Sequence, residues 1–140
     1  MEFNFRTAAV TISEGIVTAI FRDGAKNEFN SHWADRGNYR DIARDMGFGE
    51  DWQFYALTHE ITHHWLADRL AWNWSWAVHD DIHYQGEMPA HIAWEEHMVN
   101  KLQRFVMTNK PDEHGVLQAV FGSTLRDAQL ELGLLYARLK

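Results

Sequence analysis

The stretch that decides the fold runs from Trp52 to Leu70 and reads WQFYALTHEITHHWLADRL. It contains no glycine or proline, its apolar residues recur at helical spacing, and Asp51 precedes it with a charge that suits a helix N-terminus. We therefore predict a long helix. His59 and His63 are four residues apart with Glu60 between them, so both imidazoles share one face and can reach one metal ion. This arrangement is typical of an ion that polarises water beside a carboxylate base.

The predicted helix is apolar on two opposed sides. At about 100° per residue, one side is formed by Phe54, Leu57, Ile61 and Trp65. The nearly opposite side is formed by Tyr55, Leu66 and Leu70, and it includes His59 and His63, whereas His64 lies on a third side and is not expected to bind an ion. A helix that is apolar on two sides is expected at the centre of its domain. Two buried histidines that are satisfied by hydrogen bonds are the alternative at this point.

A β-hairpin and further helices are predicted around this central helix. Residues 3–12 and 16–21 are rich in β-branched and aromatic side chains, with a short turn at Ser13-Glu14-Gly15. Residues 22–37 are predicted to form a loop. Other helices are expected at about residues 39–46, 89–107, 115–121 and 123–139, next to glycine or proline. The predicted fold is α+β and mostly helical, an N-terminal β-hairpin followed by four to five helices in a single domain spanning residues 1–140.

The second long helix supplies a candidate third ligand. Its apolar stripe consists of Ile92, Met98, Val99, Leu102, Phe105 and Val106. Glu95 falls near the centre of that stripe, and Glu96 is predicted to point about 100° away from it. A buried carboxylate is costly unless it is paired or metal-bound. His59, His63 and Glu95 would give three protein ligands and leave a fourth position for water, as in catalytic zinc sites. A salt bridge, or a hydrogen bond to His91, would also satisfy Glu95.

The composition restricts the classes of function. The chain has no cysteine, so disulfides, thiolate metal ligands and cysteine nucleophiles are excluded. A net charge of −7 provides no broad basic surface for phosphates, and we expect no nucleic-acid partner. The first residues lack a basic segment followed by an apolar one, and no apolar run has the length of a membrane span. We therefore expect a cytoplasmic protein with no membrane partner.

The residues His59-Glu60-x-x-His63, with the less specific segment Trp94-Glu95-Glu96-His97, resemble the zinc metallopeptidases of the zincin class, and within them the gluzincins. The resemblance implies that His59, His63 and Glu95 bind zinc or another divalent metal ion and that Glu60 activates water. It also implies that the hairpin aligns a substrate, expected to be a peptide or a small molecule. An NExxxD motif around Glu95 is missing.

The segment from Trp76 to Pro89 resembles the HD-domain phosphohydrolases, in which an adjacent His-Asp pair holds a divalent ion. This resemblance implies that His79 and Asp80 are ligands, joined by an upstream histidine such as His59 or His63 and by a nearby carboxylate. The reaction would be hydrolysis of a phosphate ester of a small nucleotide. Both resemblances predict a metal-dependent hydrolase.

A non-enzymatic helical binding protein is the third hypothesis. Trp72, Trp74 and Trp76 alternate along the chain and could present an aromatic patch to a partner, although such clusters are more often part of a core. Retention of metal without hydrolysis would favour this hypothesis. The sequence makes no prediction of the oligomeric state.

Overall fold

The computed structural model describes residues 1–30, 39–49, 51–71, 90–108 and 114–140. Four strands come first: β1 (Glu2–Asn4), β2 (Ala8–Ser13), β3 (Ile16–Phe21) and β4 (Lys26–Asn30). Among the described residues, five helices follow: α1 (Tyr39–Asp45), α2 (Trp52–Leu70), α3 (Ala90–Thr108), α4 (His114–Phe121) and α5 (Thr124–Arg138). The prediction of a mostly helical α+β fold is confirmed.

The strands form an antiparallel sheet in the order β1-β2-β3-β4. The predicted turn joins β2 to β3, and Glu14 and Gly15 have positive φ angles of 52° and 78°, as tight hairpin turns require. The sheet is larger than the predicted hairpin. Residues 3–12 divide into two strands, since the amide of Phe5 donates to the carbonyl of Ala8 and reverses the chain. β4 lies within the segment that was predicted to be a loop. It was not predicted because the exposed Lys26 and Glu28 give this segment little apolar signal.

Helix α2 lies at the centre of the described structure. Asp51 caps its N-terminus by accepting a hydrogen bond from the amide of Phe54 at 3.1 Å. Residues 54–56 and 58–67 are buried, so the helix is enclosed on all of its faces. It contacts α1, α3 and α5, and His64 packs against Phe5, which lies between β1 and β2, and against Phe21 of β3. The predicted central position of this helix is confirmed.

Helices α2 and α3 run antiparallel. The hydroxyl of Tyr55, near the start of α2, donates to Oδ1 of Asn100, while His63, about two turns later, faces Glu95 and Glu96 near the start of α3. Later residues of α2 therefore contact earlier residues of α3. This packing places side chains from two distant parts of the sequence next to each other.

Helix α5 covers another side of α2. Its buried residues are Leu125, Ala128, Leu132 and Tyr136. The hydroxyl of Thr62 donates to the carbonyl of Thr58 at 2.7 Å, and the hydroxyl of Tyr136 therefore donates to the oxygen of Thr62. Burial raises the pKa of Tyr136 well above its ordinary value. This hydroxyl stays protonated and links α5 to α2.

Candidate metal site

His59 and His63 lie one turn apart on the side of α2 that faces α3. Each side chain is only 1% exposed. Their ring centroids are 4.8 Å apart at an interplanar angle of 80°, and their Nε2 atoms are separated by 3.2 Å. Both histidines therefore direct the same nitrogen toward one point, as the spacing in the sequence predicts.

Glu96 of α3 completes this arrangement. Its Oε2 lies 2.9 Å from Nε2 of His59, and its Oε1 lies 2.7 Å from Nε2 of His63. One potential ligand atom from each of these three buried residues lies within 4.8 Å of the others. We call His59, His63 and Glu96 the HHE cluster. Two imidazoles and a carboxylate are a common ligand set for zinc and similar divalent ions.

The spacing of the HHE cluster suits a small metal ion. Ligand atoms on a tetrahedral ion with bonds of about 2.0–2.1 Å lie about 3.3 Å apart. The separation of 3.2 Å between the two Nε2 atoms fits that value, and the contacts of 2.7 Å and 2.9 Å to Glu96 are shorter. A small outward movement of the carboxylate would bring all three atoms to ligand distance. The cluster could therefore hold a metal ion.

Glu95, the carboxylate predicted as third ligand, lies on the other side of the His63 ring. Its side chain is fully buried, and its Oε2 is 3.7 Å from Nδ1 of His63. The expectation that Glu96 points away was wrong, because the buried side of α3 is wide enough to include both glutamates. The geometry favours Glu96 over Glu95 as the carboxylate next to both Nε2 atoms.

Glu60, the predicted general base, is 6% exposed. Its Oε1 is buried and accepts no hydrogen bond from the described part of the chain. The pKa of Tyr55 is raised above its ordinary value, mainly by burial and further by the negative charges of Glu96 and Glu60, while the hydrogen bond to Asn100 lowers it. Glu60 and Glu96 therefore both act electrostatically on one hydroxyl.

Gln103 is a polar residue that the sequence analysis missed. It is fully buried, and its Oε1 lies 3.1 Å from Nδ1 of His59. Glu96 and Gln103 are seven residues apart, which places them on nearly the same face of α3, with Val99 between them. Two polar residues at this spacing within an otherwise apolar stripe are a sequence signal that could have marked both as buried, but their contacts with α2 depend on how the two helices pack.

His64 lies on a different side of α2, as expected. Its ring packs at centroid distances of 6.1 Å from Phe5 and 6.3 Å from Phe21, against the sheet. The alternative ligands His79 and Asp80, and the tryptophans at positions 72, 74 and 76, lie outside the described residues.

No protein-family profile, curated protein or solved structure matches the chain. The described helices also include none whose length and apolar content would allow it to cross a membrane. A function for the HHE cluster therefore has to be argued from the chemistry of its three residues.

Proposed function

We propose that this protein is a metal-dependent hydrolase in which the HHE cluster holds a divalent ion, zinc or a similar metal. The observation that carries the proposal is the convergence of Nε2 of His59, Nε2 of His63 and the Glu96 carboxylate. Three protein ligands are the number found in catalytic zinc sites, which keep one position for water or substrate. Closed structural sites use four protein ligands.

The residues of the chain have separate roles in this proposal. An ion at the HHE cluster would act as a Lewis acid and lower the pKa of a water molecule. Glu60 would accept a proton from that water and later pass it to the leaving group. Its buried Oε1, which accepts no hydrogen bond from the described residues, suits a base. Glu96 and the two histidines would hold the ion and take no part in proton transfer.

A zincin-like metallopeptidase is the class that these roles support best. The HExxH histidines lie on one helix and the third carboxylate comes from a later helix, which is the gluzincin arrangement implied by the sequence. The substrate would then be a peptide, with a small molecule as the alternative. Glu96 replaces Glu95 as the proposed third ligand.

The extreme burial of the two histidines favours a second candidate, a binding protein with a stabilising ion. Side chains that are 1% exposed give an incoming substrate little access. In this case the ion would be retained and no hydrolysis would occur. The HD-type phosphohydrolase that uses His79 and Asp80 is the third candidate, and it rests on the sequence alone.

The deciding experiment measures divalent metal by elemental analysis, together with hydrolysis of fluorogenic peptides and of p-nitrophenyl phosphate. We expect bound metal in the wild type, loss of metal in His63→Ala, and retention in His64→Phe, a matched control that fills the space between Phe5 and Phe21. Glu60→Gln should keep the metal and lose hydrolysis. No metal in the wild type, or full hydrolysis by Glu60→Gln, would show that the proposal is wrong.

Each remaining outcome identifies one of the other candidates. Loss of metal in His79→Ala but not in His63→Ala would favour the HD-type enzyme, with hydrolysis of p-nitrophenyl phosphate. A wild type that hydrolyses neither class of substrate, but binds metal that His63→Ala loses, would favour the binding protein.

A further inference from the structure

The buried side chain of Gln103 contacts three groups of helix α2. Its Nε2 lies 2.8 Å from the carbonyl oxygen of Tyr55 and 2.6 Å from Oγ1 of Thr58. Its Oε1 lies 3.1 Å from Nδ1 of His59. The amide thus connects the backbone of α2 to the imidazole of a proposed metal ligand.

The orientation of this amide follows from its partners. A carbonyl oxygen only accepts hydrogen bonds, so the amide atom next to the carbonyl of Tyr55 is the NH₂ group. The hydroxyl of Thr58 has its own acceptors in the carbonyls of Phe54 and Tyr55, at 2.9 Å and 3.0 Å, so its oxygen accepts from Gln103. Both N–H groups of the amide are therefore used. Its carbonyl oxygen must face Nδ1 of His59.

An oxygen acceptor at this position favours a proton on Nδ1. The hydrogen bond made by one nitrogen of a neutral imidazole decides which nitrogen carries the proton. At the opposite nitrogen, Oε2 of Glu96 lies 2.9 Å away and would accept a hydrogen bond from a protonated Nε2. Gln103 and Glu96 thus compete for a single proton of the neutral His59 ring. Only the tautomer with the proton on Nδ1 leaves the Nε2 lone pair available to a metal ion.

We infer that Gln103 is a positioning residue that shifts the tautomer equilibrium of His59 toward Nδ1–H and thereby makes its Nε2 more available to a metal ion. The inference rests on the proposed metal site for its functional consequence. The tautomer itself is a property of the protein without metal. An isosteric residue that lacks the amide, such as methionine, would leave Nδ1 without this acceptor, and the proton would move toward Glu96.

The test uses the variants Gln103→Met and Asn100→Ala. Asn100 is a control because it also connects α3 to α2, and it does so through the hydroxyl of Tyr55 and not through His59. The first readout is the ¹⁵N spectrum of the His59 ring in metal-free protein, at a pH where the ring is neutral. The second is the affinity for zinc, measured by competition with a chelator.

We expect a larger Nδ1–H fraction of the His59 ring in the wild type and in Asn100→Ala than in Gln103→Met. In Gln103→Met the proton should shift toward Nε2, and zinc affinity should fall about 10- to 100-fold, the usual effect of losing a partner of a metal ligand. A Gln103→Met protein with an unchanged Nδ1–H fraction or an unchanged zinc affinity would overturn the inference.

A second variant protects the test against misfolding of Gln103→Met. Thr58→Val keeps the shape of the side chain and removes one acceptor of the Gln103 amide. It should give a mixture of His59 tautomers and a smaller loss of zinc affinity, and an unchanged spectrum would count against the inference. If the wild type binds no zinc, the proposed function fails, while the spectra of metal-free protein still decide the role of Gln103.

Discussion

His63 lies between two consecutive glutamates of α3. Its Nε2 is 2.7 Å from Oε1 of Glu96, and its Nδ1 is 3.7 Å from Oε2 of Glu95. The two carboxylates therefore face opposite nitrogens of one ring. An imidazole that binds metal through one nitrogen usually donates a hydrogen bond through the other. In the proposed site Glu96 would therefore be the metal ligand, and Glu95 would be the outer partner next to the second nitrogen of His63.

The first prediction separates these two glutamates. Glu96→Gln should reduce zinc affinity more than Glu95→Gln, since an amide oxygen is a poorer ligand than a carboxylate. Glu95→Gln, which changes only the outer partner, should reduce the affinity by about 10- to 100-fold. Zinc titrations in competition with a chelator measure both values. The reverse order would restore Glu95 as the third ligand.

The second prediction concerns stability. An ion that binds the folded chain and not the unfolded one should raise the free energy of unfolding by about 2.7 kcal/mol when its concentration is 100 times its dissociation constant. Urea unfolding with and without zinc measures this change. His63→Ala should show no such increase, and His64→Phe should show all of it. An equal increase in His63→Ala would place the ion elsewhere.

The third prediction concerns pH. Because the pKa of Tyr136 is raised in the folded protein, its contribution to stability is complete below the ordinary value of 10.0 and declines as the pH rises above that value. The decline should approach about 1.4 kcal/mol per pH unit for this one group. Unfolding free energies from pH 8 to 11 should fall less steeply in Tyr136→Phe than in the wild type. Equal slopes would contradict the buried, protonated state of this hydroxyl.

The fourth prediction tests the packing of the central helix. Leu66 is fully buried in α2, and Leu66→Ala should lower the free energy of unfolding by about 2–5 kcal/mol, through lost burial and the cavity that remains. Leu134 on α5 is 71% exposed and provides the matched control. Leu134→Ala should change stability by less than about 0.5 kcal/mol. Similar losses in both variants would mean that α2 is not enclosed as described.

Helical periodicity was sufficient to predict α2 and the shared face of its two histidines. The bounds Trp52 and Leu70 followed from a continuous run without glycine or proline, next to an acidic cap. The strand Lys26–Asn30 was missed because the exposed Lys26 and Glu28 interrupt any apolar pattern and its pairing with β3 uses backbone groups. Local sequence cannot report pairing of that kind.

The choice between Glu95 and Glu96 could not be predicted from one helix. Both side chains are buried, and which of them meets the histidines depends on how α3 rotates and crosses over α2. That packing is set by apolar contacts distributed along both helices. The partner of His59, Gln103, was missed for the same reason, because its role exists only after the two helices meet.

The enclosure of α2 also has a kinetic consequence. Since the HHE histidines are almost fully covered, an ion bound there would enter or leave when the surrounding elements open locally. Exchange of metal would then follow the frequency of these openings and not the strength of the metal–ligand bonds. The metal found after purification would record what the chain met while it folded, and a chelator would remove it slowly even where equilibrium favours removal.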